Sequence, residues 1–186
     1  MKEYYEMNIA GCTRRLPICK GEGSLVIAGF VIFGDVELTE AAAKELLGRL
    51  PEFDILVAPE AKSIPLIYEM ARHSGRNDYL IARKKAKLYM KDVFDVEVQS
   101  ITTAGVQHLY MDASDAAKMK GRKVVIVDDV ISTGESLAGV EALVNQAGGD
   151  IVAKVAILAE GAAADRKDIT YLERLPLFDL EGNPLA

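Results

Sequence analysis

Five short apolar runs, separated by amphipathic stretches, constrain this chain more than any other feature of its sequence. They are Ser24–Phe33 (SLVIAGFVIF), Ile55–Ala58, Tyr79–Ala82, Lys123–Val127 (KVVIV) and Ile151–Leu158. A strand that is apolar on both sides needs cover on both faces, which a parallel sheet flanked by helices provides. The stretches between the runs supply that cover. Glu40–Leu50, Ile64–His73 and Glu135–Gln146 carry the helical period. Pro51 stops the first helix. Ile64, Ile67, Tyr68 and Ala71 form one stripe of the second. Leu137, Val140, Val144 and Ala147 mark the third, which Gly148-Gly149 ends. The expected fold is α/β: a doubly wound, mainly parallel twisted sheet with helices on both faces. A length of 186 residues fits a single domain. Two regions break the alternation. Residues 1–39 read as a small N-terminal lobe. Residues 84–112 read as an excursion, a flexible β flap whose strand-like runs flank Thr103-Ala104-Gly105. Long excursions inside compact domains tend to be functional.

Composition removes several classes. Basic residues number 22 and acidic residues 28, a net charge of −6, which argues against a nucleic-acid-binding surface. The longest apolar run, Val26–Phe33, is far too short to span a bilayer. The opening MKEYYEMNIAG does not read as a secretory signal, so the expected location is cytoplasmic, with no membrane partner. Cys12 and Cys19, with no histidine between them, are expected to be reduced thiols.

The segment that carries chemistry is Val124–Leu137, VVIVDDVISTGESL. A buried strand runs into Asp128-Asp129, and a helix begins a few residues later. In an open α/β sheet, ligands bind at such strand-to-helix turns. The helix start offers unpaired N–H groups at the positive end of its dipole. Gly134 permits close approach or a positive φ. Ser132, Thr133 and Ser136 add hydroxyls. Together these make a phosphate cradle. Two carboxylates beside a phosphate repel it, so they must meet something else. Vicinal sugar hydroxyls fit, and so does a divalent metal, held directly or through water. Capping alone would need one such residue, not two acids, three hydroxyls and a glycine in nine positions. The segment is neither a Walker A loop nor a dinucleotide fingerprint.

Two more turns read as anion sites. Pro59-Glu60-Ala61-Lys62-Ser63 joins the strand Ile55–Ala58 to a helix. Arg83-Lys84-Lys85-Ala86-Lys87 follows the strand ending at Ala82 and places four cations in five residues.

VVIVDDVISTGES resembles the ribose-phosphate motif of type I phosphoribosyltransferases: an apolar strand, two acids, two variable residues, a small residue, then Thr-Gly. The resemblance implies that Asp128 and Asp129 hold the ribose hydroxyls of phosphoribosyl pyrophosphate (PRPP). Val130 and Ile131 continue that PRPP site, and Ser132, Thr133, Gly134, Glu135 and Ser136 hold the 5′-phosphate. It further implies that Glu60, Ala61, Lys62 and Ser63 form a pyrophosphate loop, joined by Arg83, Lys84 and Lys87. Asp129, Arg83 and Lys87 are the residues it marks as catalytic. The basic segment resembles the Arg-Lys-x-Gly-Lys-Leu-Pro loop of adenine phosphoribosyltransferases, with Ala86 and Tyr89 in place of its glycine and proline.

The implied reaction displaces pyrophosphate from the anomeric carbon of PRPP by a nitrogen of a purine, adenine first. Mg²⁺ is the implied cofactor, with Asp128 and Asp129 as potential ligands, and a homodimer the implied assembly. Ser132 stands where hypoxanthine–guanine enzymes carry Asp. Ser100-Ile101-Thr102-Thr103 replaces the adenine enzymes' Ser-x-Glu-Tyr-Gly, and the N-terminal lobe lacks their Phe-Pro…Pro-Gly-Ile pattern. Xanthine, another purine or orotate is the alternative acceptor. A non-catalytic PRPP-binding regulator is the alternative role. His73 reads as packing or surface. Tyr89 is a candidate flap residue, since flaps of this family often carry Tyr, with a core or surface role as the alternative; His108 falls in the flap without a motif, and Glu135 sits beside the phosphate turn where the family usually has glycine.

Overall fold

The computed structural model describes residues 2–20, 26–99 and 106–185. The chain opens with β1 (Tyr4–Ile9) and β2 (Cys12–Lys20), an antiparallel hairpin turned at Ala10-Gly11, and β3 (Val26–Ala28) joins β2 antiparallel. Then follow α1 (Val36–Leu47), β4 (Ile55–Pro59), α2 (Ile64–His73) and β5 (Leu80–Ala82). A second antiparallel hairpin, β6 (Val93–Gln99) and β7 (Val106–Asp112), leads through the short α3 (Ala113–Ala117) to β8 (Lys123–Ile131). The chain ends with α4 (Glu135–Gln146), β9 (Asp150–Glu160), a 3₁₀ turn and β10 (Thr170–Leu175).

β10-β9-β8-β4-β5 form a five-stranded sheet in which every pairing is parallel. The apolar strands explain why. Side chains alternate faces along a strand, and both faces here are covered. Leu56, Ala58, Val125 and Val127 pack against α1 and α2 through Leu38, Ala42, Leu66 and Met70. Ile55, Val57, Val124 and Ile126 pack the other way, against Val140, Leu143 and Val144 of α4. The β6–β7 hairpin joins that second face through Val96, Leu109 and Met111. The chain turns one way from β4 to β5 and the other way to β8 and β9. The carboxyl ends of β4 and β8 therefore flank the switch point, where such sheets open a crevice.

Several expectations shift. Only Val26–Ala28 of the first apolar run is strand, and Ser24-Leu25 lies outside the described residues. Gly29–Phe33 instead crosses from the lobe to the sheet, burying Phe30 and Ile32 while Val31 and Phe33 face out. Helix α1 starts at Val36 rather than Glu40, because Asp35 caps it by accepting from Leu38 N at 3.1 Å. Asp35 also pairs with Arg14 of β2 at 2.6 Å, which ties the lobe to the helix start. The buried stripe of α2 is Leu66, Ile67, Met70 and Ala71, not the one through Tyr68, which is exposed and meets Tyr79 edge-on. Strand β8 continues through Asp128-Asp129 to Ile131. β10 and α3 were not foreseen: TYLERL is a charged edge strand without an apolar run, and α3 spans a single turn. No helix among the described residues is long and apolar enough to cross a membrane.

Candidate active site

Asp128 and Asp129 lie inside β8, and both are buried, at 7% and 4% exposure. They sit where β8 is flanked by β9 and approaches the switch point, so strand pairing fixes their backbone. Asp128 Oδ1 accepts from Asp129 N at 2.8 Å. Lys62 Nζ lies 3.1 Å from Asp129 Oδ2, but off the hydrogen-bond direction, so that oxygen has no hydrogen-bond donor among the described residues. Burial, then the neighbouring Asp129 charge, pushes the Asp128 carboxyl above its ordinary range. A buried carboxylate oxygen with an ion-pair partner but no hydrogen bond is ready to receive a second cation or a hydroxyl.

Beyond Ile131 the chain turns sharply. Gly134 has φ +83° and starts α4 without a side-chain cap, while Thr133 Oγ1 accepts from Glu135 N at 3.4 Å. Ile131, Thr133, Gly134 and Glu135 line a small cradle with Ser132 and Ser136 at the helix start. A Cβ on Gly134 would come within 2.8 Å of Arg166 Nη1, the end of a flexible side chain that would have to shift, and the positive φ would strain any other residue there. The arrangement suits an anion at the positive end of the helix dipole.

The second turn leaves β4 at Pro59. Glu60 N donates to Ala82 O at 2.8 Å, which ties the turn to β5, and the Glu60–Ala61 peptide is cis. Buried Ser63 donates to Pro59 O at the start of α2. The basic segment is held to the hairpin by two hydrogen bonds of 2.8 Å between the backbones of Arg83 and Tyr110. Arg83 Nη2 donates to Tyr89 Oη at 2.8 Å, and Arg83 Nη1 lies 3.5 Å from Glu60 Oε1.

One cavity of about 610 Å³ joins these parts. Asp128, Asp129, Val130, Ser132 and Ser136 line it from β8 and α4. Glu60, Ala61, Lys62 and Ser63 line it from the second turn, and Lys84 from the basic segment. Two expected residues stand outside. Arg83 touches the cavity only through Glu60, and Lys87 lines neither cavity nor cradle. Arg83 is turned toward Tyr89, and Lys87 lies in a turn where its backbone N donates to Met90 Sδ at 3.5 Å. Neither histidine lines the cavity: His73 pairs with Glu69, and His108 stacks on Tyr110. Ser100–Thr103 and Thr103-Ala104-Gly105 lie outside the described residues.

The cavity also holds residues that sequence reasoning missed. Ile27–Val31 forms an apolar wall from the N-terminal lobe, and Glu160 and Leu175 close the far side. Glu160 and Leu175 could have been found, because they end strands on the sheet's carboxyl edge. The wall could not, because nothing in a short apolar run says which cavity it faces.

Fold and site together define an α/β protein with a buried acidic pair and a helix-start cradle at the switch point of its sheet. The phosphoribosyl transferase domain family matches residues 36–178, and the chain belongs to that family. It is a phosphoribosyltransferase. Its relatives include the adenine phosphoribosyltransferase of Thermotoga sp. (strain RQ2), 34% identical over 161 residues, covering 82% of this chain and 85% of the relative. The adenine phosphoribosyltransferase of Thermotoga maritima is also 34% identical, covering 82% and 83%. Among solved structures, that of adenine phosphoribosyltransferase from Saccharomyces cerevisiae shares the fold with a TM-score of 0.64 at 19% identity, covering 92% of each chain.

Proposed function

We propose that this phosphoribosyltransferase joins adenine to PRPP and releases AMP and pyrophosphate. The observation that carries the proposal is one cavity in which a buried acidic pair, the β8–α4 and β4–α2 turns and an apolar wall face one another. The named relatives support adenine, as does Ser132, where hypoxanthine–guanine enzymes have Asp.

In this reading Asp128 and Asp129 accept from the two ribose hydroxyls. The α4 start with Ser132, Thr133 and Ser136 holds the 5′-phosphate. These contacts fix the anomeric carbon in line between base and pyrophosphate, which supplies much of the rate. Lys62 and Lys84 stabilise the charge that grows on departing pyrophosphate. Arg83 and Lys87 join them by turning inward as the β6–β7 hairpin closes over the cavity and excludes water. Lys62 must leave Asp129 to do so, which frees the acidic pair for the sugar. Asp128 and Asp129 also fit Mg²⁺, a hard cation that takes carboxylate oxygens directly or through water. When bound, that ion would neutralise pyrophosphate charge.

We further propose a cytoplasmic homodimer. Val36 and Tyr68, 78% and 55% exposed, line a cleft between α1 and α2 with Pro65, an apolar surface that a second copy would cover.

The test is pyrophosphate release from PRPP and Mg²⁺ with adenine, hypoxanthine, guanine, xanthine and orotate in parallel. Turnover with adenine alone is expected. Turnover with another base reassigns the acceptor. PRPP binding without any turnover favours a non-catalytic binding protein.

A further inference from the structure

The cavity contains one acidic side chain that the reading above leaves unused. Glu160 is the last residue of β9, paired in register with Leu175 of β10. Among the described residues its carboxylate makes no hydrogen bond or ion pair, although it is half-buried. The other acids of the cavity are engaged: Asp128 accepts from Asp129 N, Asp129 faces Lys62, and Glu60 faces Arg83 and Lys84 N.

Position says what Glu160 can meet. Asp128 pairs in register with Ala156, four residues before Glu160. At about 3.3 Å per residue, Glu160 stands roughly 13 Å further toward the mouth along the strand. The phosphate cradle lies on the β8–α4 side and the second turn on the β4 side, and Glu160 belongs to neither. It shares the cavity instead with the apolar wall Ile27–Val31 and with Leu175, surfaces suited to a flat heterocycle. Burial also pushes the Glu160 carboxyl above its ordinary range, with the Lys62 charge opposing, so a donor placed there would be strongly favoured.

We propose that Glu160 is the base-recognition residue, its carboxylate accepting a hydrogen bond from the exocyclic amino group of an aminopurine. The inference rests on the adenine reading and deepens it. A carboxylate rewards an amino group and repels a carbonyl oxygen in the same place, so it selects adenine over hypoxanthine by attraction and repulsion together.

The experiment compares wild type, Glu160→Gln and Glu160→Ala. It measures kcat/KM for adenine and hypoxanthine, and PRPP affinity by calorimetry in the presence of Mg²⁺. Glu160→Gln should lower adenine kcat/KM about 10-fold or more, because a neutral carboxamide accepts more weakly. It should raise hypoxanthine turnover, because its amide group can donate to a carbonyl oxygen. The adenine-to-hypoxanthine ratio should fall by about 100-fold in Glu160→Gln and also collapse in Glu160→Ala. PRPP affinity should be unchanged in both variants. An unchanged base ratio in variants that still bind PRPP overturns the role of Glu160, as does a loss of PRPP affinity that accounts for the whole defect. Wild type that binds PRPP but never turns over adenine overturns the adenine reading itself, and this inference with it.

Discussion

Asp129 carries the sharpest residue-scale prediction. It is 4% exposed, its Oδ2 lacks a hydrogen-bond donor, and its backbone is fixed in β8. Asp129→Asn keeps the shape but removes the charge that would grip a ribose hydroxyl. A charge-assisted hydrogen bond contributes about 1.5–3 kcal/mol, so KM for PRPP should rise about 10- to 150-fold with the melting temperature little changed. Unchanged KM would remove the acidic pair from the PRPP site. Asp128 yields a second prediction, in pH. Its carboxyl is pushed up from 3.8 to about 8, chiefly by burial. The folded state then holds this proton more tightly than the unfolded state. Stability of the ligand-free protein should therefore fall as pH rises through that window. Asp128→Asn cannot ionise, so it should flatten the slope and melt higher than wild type near the upper end. Thermal melts of both proteins at a series of pH values decide this, and a steeper slope in the variant would contradict it.

At the scale of elements, the β8–α4 turn is the part with least freedom. Gly134 has φ +83°, and Arg166 fills the space beside it. Asp168 holds Arg166 through Nε and Nη2 at the partly exposed surface, and its Nη1 end can shift, so the backbone conformation sets the cost. Gly134→Ala adds a Cβ where the positive φ strains it and the end of Arg166 must move aside. It should cost about 1–3 kcal/mol of stability and weaken PRPP binding more than 10-fold, because the cradle itself must distort. Denaturant unfolding and PRPP titration read the two effects separately; a neutral variant would show that the turn can relax. The same scale shows why α1 begins early. Asp35 and Arg14 join the lobe to the helix start through a local cap and a long-range ion pair, and only the cap is visible in sequence.

Across the whole molecule, stability rests on two apolar layers, one on each face of the sheet. Leu56, in β4, is fully buried, whereas Leu88, just after the basic segment, is fully exposed. Leu56→Ala should cost about 2–5 kcal/mol, and Leu88→Ala should change stability by less than about 0.5 kcal/mol. Chemical denaturation of the two variants tests whether the sheet core or the loop surface holds the fold; equal effects would refute the layered description.

The parallel sheet, its covering helices and the order of the turns at its carboxyl edge were legible from residues 55–158. Buried strands leave continuous apolar runs, and a strand-to-helix turn that holds phosphate leaves glycine, hydroxyls and acids at close spacing. These are local signals, written within a few residues of where they act. The reach of Lys62 to Asp129, the turning of Arg83 toward Tyr89, and the meeting of Ile27–Val31 with Glu160 across one cavity were not legible. Each joins residues distant in sequence through side-chain direction, and only the packed sheet, by setting β3, β4, β8 and β9 around one opening, decides where those side chains point.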